Sequence, residues 1–94
     1  MSHHIEDEVI RQIKVLIDEG RLVELQILWE EISETEFDRD LAWDYIFQKV
    51  YLHAALKKRD DICEWLDGLF EEFNPMIQIA LRQMFAYARY LRSL

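Results

Sequence analysis

Apolar residues fall at helical spacing along nearly the whole chain. Val9, Ile10, Ile13, Leu16 and Ile17 recur at i, i+3, i+4 and i+7. This predicts an amphipathic helix over about residues 5–19, ended by Gly20 in the left-handed position that helix ends favour. Leu22, Leu25, Leu28, Trp29 and Ile32 predict a second helix after a short turn, closing near the stretch SETEF, where Ser, Thr and acidic side chains compete for backbone hydrogen bonds. A third helix carries Leu41, Trp43, Ile46, Phe47, Val50 and Ala54, with Asp38 or Asp40 as its cap. Asp61 and Glu64 have the spacing of a capping box, so a fourth helix runs from there through Ile62, Trp65, Leu66, Leu69 and Phe70. Gly68 weakens it by roughly 1 kcal/mol relative to alanine. Asn74 and Pro75 then stop one helix and start the next, because a proline in the first helical turn loses no hydrogen bond. The fifth helix, over about 75–92, buries Ile77, Leu81, Met84, Ala88 and Leu91. No segment alternates like a strand. The expected fold is a single all-α domain over 1–94 with five helices: two antiparallel helix pairs plus a C-terminal closing helix, stacked in a solenoid-like manner.

A shift of 37 positions lays the first pair on the second. Val9, Ile10, Ile13 and Ile17 fall on Ile46, Phe47, Val50 and Ala54, while Leu25, Leu28, Trp29 and Ile32 fall on Ile62, Trp65, Leu66 and Leu69. Periods of 20 to 50 residues with two helices per unit are how helical solenoids are built, each pair burying its stripe against the next. Within the second unit, LHAALKKRDDICEWL, residues 52–66, resembles the helix–turn–helix part of an ankyrin repeat. Leu52, His53 and Ala55 match the leucine, histidine and alanine of that family's T-P-L-H-x-A signature. Val50 and Tyr51 stand where the family has threonine and proline. The resemblance implies a binding scaffold without catalysis.

Hydrophobic residues make up 51% of the chain and aromatics 13%, enough to fill a core and more than a disordered acidic tail would contain. Eleven basic against nineteen acidic side chains give a formal charge of −8, which repels nucleic-acid phosphates and anionic membranes and favours basic protein partners. The charge is unevenly spread. Residues 74–94 hold Arg82, Arg89 and Arg92 and no acid, so the last helix is a basic element following an acidic body. The lone Cys63 cannot form an internal disulfide. Together with the absence of an apolar run of membrane-span length and the acidic start IEDE, it sets a cytoplasmic expectation.

Little in the chain points to chemistry. Most of the carboxylates sit where they cap helices, complement helix dipoles or face water. There is no E-x-x-H, no H-E-x-x-H and no cysteine pair, so no metal or other cofactor is expected. His53 and Cys63 lack the third group and the basic surroundings of a catalytic pair, and no catalytic residue is assigned. If Met1 is removed, Ser2-His3-His4 would place a histidine third behind a free amine, a copper-binding geometry with no further support in the chain.

The expected function is a non-catalytic protein–protein interaction module that includes self-association as a homo-oligomer. Arg82, Phe85, Arg89 and Tyr90 are its expected interface residues, since arginine and aromatic side chains are enriched at contacts. Glu30, Glu31, Glu34, Glu36, Asp38 and Asp40 form the expected acidic surface that steers a partner. The alternative is an acidic inhibitor or immunity-type protein, a nucleic-acid mimic that blocks a basic partner.

Overall fold

The computed structural model describes residues 4–35 and 41–94. These are all-helical, with no strand among them: α1 (His4–Glu19), α2 (Leu22–Thr35), α3 (Trp43–Leu56), α4 (Asp60–Phe70), α5 (Pro75–Ala80) and α6 (Arg82–Ser93). The single closing helix expected over 75–92 is two helices, which corrects the count of five. Leu81, at φ −93° and ψ 0°, leaves the helical path for one residue. Its side chain is 2% exposed, and bonds Leu81 N–H to Ile77 O and Phe85 N–H to Leu81 O bridge the kink at 3.1 and 3.2 Å. Leu81 is thus buried at the junction of the two helices.

α3 occupies the centre. It packs most extensively on α1 along one side and α6 along the other, and Ile46, Phe47, Val50, Tyr51, Ala54 and Ala55 are all buried. The expected stripe omitted Tyr51 and Ala55, because a helix covered on two sides buries more than one face. Tie points along α1 and α3 advance together: Glu6 with Ala42, Asp7 with Tyr45, and Asp18 with His53. The same holds for α3 and α6, where Phe85 meets Phe47 and Tyr51 while Lys58 meets Leu91. The three helices therefore run side by side in the same direction. α2 and α4 meet across Trp29 and Trp65, whose rings stand edge to face at 5.7 Å. Trp29 also contacts Trp43 at 5.3 Å.

Gly20 ends α1 as expected. At φ +68° it allows Gly20 N–H to reach Ile17 O and Arg21 N–H to reach Leu16 O, each at 3.0 Å, the two bonds of a Schellman motif. The second pair closes with the same bonds: Lys58 N–H to Ala55 O and Arg59 N–H to Ala54 O. Lys58 holds the left-handed position there, at φ 59°, without being glycine. The two turns are thus 38 residues apart in hydrogen-bond pattern, one more than the 37 that aligns the apolar stripes.

Two expected caps differ. Residues 36–40, which include the expected caps Asp38 and Asp40, lie outside the described residues; α3 is instead preceded by Ala42, whose N–H donates to the Glu6 carboxylate of α1 at 3.0 Å. α4 begins after Arg59, and Asp61 accepts from the neighbouring Ile62 N–H, so no Asp61–Glu64 box forms. Asn74 caps α5 as expected, accepting from Ile77 N–H at 3.0 Å with Pro75 in the first turn.

The turn Lys57-Lys58-Arg59 joins three helix ends. Arg59 donates to the carbonyls of Ile17 and Asp18 at the end of α1, at 3.0 and 2.5 Å. Lys58 donates to Leu91 and Arg92 carbonyls at the end of α6, at 2.9 and 3.1 Å. Cations suit helix C-termini, where unpaired carbonyls concentrate negative charge.

Arg59→Ala should lower the unfolding free energy by about 1.5–3 kcal/mol in urea denaturation, since it leaves charge-assisted bonds unmade. Gly20→Ala should cost about 1–2 kcal/mol, because the left-handed backbone penalises a Cβ and that atom would sit 3.2 Å from the Arg59 guanidinium. Trp29, 8% exposed, should cost roughly 3–5 kcal/mol when cut to alanine. Trp65, which is only half-buried, should cost less.

Candidate functional site

α6 is the element from which a site can be built. Met84 and Ala88 anchor it in the core, and both of its flanks remain accessible. One flank faces α4. There Arg82, Phe85 and Arg89 line an open groove of about 680 Å³ together with Asp67, Phe70 and Glu71. Phe85 is not a free anchor, because it packs on Phe70 at 4.4 Å and Tyr51 at 4.8 Å. These rings belong to a cluster with Phe47 and Phe73 that holds α3, α4 and α6 together. The accessible edge of Phe85 floors the groove, and the two arginines rise beside it.

The other flank faces α3 and α1. Tyr87 and Leu91 line a shallow groove of about 250 Å³ with Leu52 and Leu56 of α3, and Lys14 and Lys49 stand at its side. His53 is the remaining residue there, and no carboxylate lines it. Tyr90 stacks on Tyr87, with ring centroids 6.3 Å apart and planes 23° from parallel. The four expected interface residues therefore do not form one patch: Arg82, Phe85 and Arg89 share the α4 flank, and Tyr90 leans toward the opposite one.

The basic side chains divide in an informative way. Arg11 pairs with Glu8, Arg21 with Glu19 and Glu24, Lys57 with Asp18, and Arg92 with Asp60. Lys58 and Arg59 cap helix ends. Among the described residues, Lys14, Lys49, Arg82 and Arg89 have no carboxylate in ion-pair reach, Lys49 lying instead over the Tyr45 ring at 5.6 Å. All four line the two flanks of α6.

The acidic surface lies on α2. Glu30, Glu31 and Glu34 are exposed on its outward side, and Glu36, Asp38 and Asp40 lie outside the described residues. Val23 and Ile27 share that side at 64% and 53% exposure. Sequence reasoning missed both, although their spacing from Glu30 and Glu34 at i, i+4, i+7 and i+11 marks one helix face opposite the buried Leu25, Trp29 and Ile32. Lys14 and Lys49 were also missed, since only the packing of three helices brings them together with Tyr87 and Leu91.

Other polar groups make contacts within the fold. His53 Nε2 lies 2.7 Å from Asp18, and that hydrogen bond holds the Asp18 carboxyl below its usual range, against the opposing effect of desolvation. Cys63 is fully buried, and burial pushes its thiol up to about 11. Tyr51 donates to Asp67 at 2.6 Å, and burial followed by that bond raises its phenol well above the usual value. Among the described residues, no group of three or more His, Cys, Asp or Glu side chains stands close enough to hold a metal ion. The Ser2-His3 start lies outside the described residues, and His4 is exposed at the beginning of α1. No described helix is long and apolar enough to cross a membrane. No protein-family model, curated protein or solved structure matches the chain.

Cys63 should resist alkylation at pH 8 in the folded protein and react only on unfolding, as measured by mass shift with and without urea. Because its thiol titrates higher folded than unfolded, the stability it contributes is complete below about pH 8.5, the ordinary thiol value, and is lost as pH rises toward about 11. Cys63→Ala should flatten that alkaline loss in thermal melts recorded across the range.

Proposed function

We propose that the chain is a non-catalytic protein–protein interaction module that also self-associates, with α6 as its contact element. The observation that carries this reading is the placement of the unpaired cations: in a chain of charge −8, all four among the described residues border α6. Arginine beside aromatic surface is a composition that contacts use, because it combines apolar burial with directional hydrogen bonding. On this reading the α1/α2 and α3/α4 pairs are a solenoid-like scaffold, and the helix after them presents the binding surfaces. An acidic inhibitor of a cationic protein draws instead on the outward side of α2. Its distinguishing result is a monomeric parent that forms a tight, salt-sensitive complex with a basic protein.

Sedimentation at micromolar concentration in low salt should show species heavier than the monomer, dissociating as salt is raised. Tyr87→Ala with Tyr90→Ala should weaken this association while the far-ultraviolet helical signal persists. A monomer at every concentration and salt would remove self-association from the proposal.

A further inference from the structure

Two of the surfaces that carry exposed apolar residues bear opposite charge. Along α2, Val23, Ile27, Glu30 and Glu34 form one outward stripe. From Val23 to Glu34, eleven helical rises of about 1.5 Å make it roughly 16 Å long. Between α3 and α6, Leu52, Leu56, Tyr87 and Leu91 form an apolar furrow bordered by Lys14 and Lys49. A furrow between two helices running side by side accepts a third helix, whose i, i+4, i+7 side chains enter it. The furrow is cationic and the stripe anionic, and each has its own apolar residues.

We infer that the outward face of α2 in one copy docks into the Lys14–Lys49 furrow of a second copy. Val23 and Ile27 meet Leu52, Leu56 and Tyr87, and Glu30 and Glu34 meet the two lysines. The Arg82–Arg89 groove fits this occupant less well, because Asp67 and Glu71 line it together with the arginines, whereas no acid lines the furrow itself and the nearest, Asp7 and Asp18, lie beyond the two lysines on the α1–α3 side. Opposite charges on surfaces with apolar centres select orientation and speed encounter, while the apolar contact supplies most of the affinity. The two surfaces differ, so each copy offers one of each. The contact is head to tail, and it closes into a ring or extends into a chain according to its rotation. This inference rests on the reading that the chain self-associates, and it names the surfaces used.

Complementary charge reversal tests it on the full chain. Lys14→Glu with Lys49→Glu, and separately Glu30→Lys with Glu34→Lys, should each weaken self-association by at least about tenfold in sedimentation. Mixing the two variants in equal amounts should restore assembly, because each reversed surface then meets a reversed partner. Glu64→Lys with Glu72→Lys, a charge change of the same size on residues that line neither surface, should leave assembly within about threefold of the parent. Circular dichroism checks that each variant folds. Assembly that survives both reversals but is lost on Arg82→Glu with Arg89→Glu would overturn this inference and leave self-association standing. A monomeric parent would overturn both.

Discussion

The burial of α3 on two sides is the constraint on which the rest of the molecule depends. A helix with Ile46, Phe47, Val50, Tyr51, Ala54 and Ala55 all out of water needs a neighbour on each flank, and α1 and α6 are those neighbours. At its end the carbonyls of Ala55 and Ala54 accept from the Lys58 and Arg59 N–H groups and close the turn. The turn then places Arg59 on the last carbonyls of α1 and Lys58 on those of α6. Apolar burial sets which helices are neighbours, and the basic turn sets how their ends align. Lys58 keeps a left-handed backbone for this, a strain of about 1–2 kcal/mol for a residue with a Cβ, offset by its two bonds across to α6.

The same arrangement decides which charges remain for use. Six of the basic residues are spent inside the molecule, on neighbouring carboxylates or on helix ends. Among the described residues, the four that are left flank α6. On α2, Glu30 and Glu34 lie on the solvent side of the helix, with Val23 and Ile27 exposed beside them. A chain that is acidic as a whole thus presents a cationic, apolar furrow at one place and an anionic, apolar ridge at another.

Much of the fold was legible in the pattern of apolar residues. Helical spacing located every long helix, Gly20 and Asn74-Pro75 marked two boundaries, and the expected stripe of the last segment holds the buried Leu81, Met84 and Ala88. The break at Leu81 was not legible, since leucine is a good helix former and no glycine or proline marks the position. Nor was the tie at the start of α3, where the Ala42 N–H donates to Glu6 from 36 residues away. The site was legible only as a list: Arg82, Phe85 and Arg89 do share a groove, but Phe85 is largely taken up by the aromatic cluster and Tyr90 faces elsewhere. Lys14 and Lys49 sit on different helices, and nothing local distinguishes them from solvated lysines until α6 is placed beside them.

The most direct measurement is a dilution series of amide nitrogen–proton spectra on the uniformly labelled protein. As concentration rises, the account predicts shifts that titrate together at Val23, Ile27, Glu30 and Glu34 and at Lys14, Lys49, Leu52, Leu56 and Tyr87, with a single midpoint for both groups. Shifts confined to one of the two groups, or centred on Arg82 and Arg89, would contradict it.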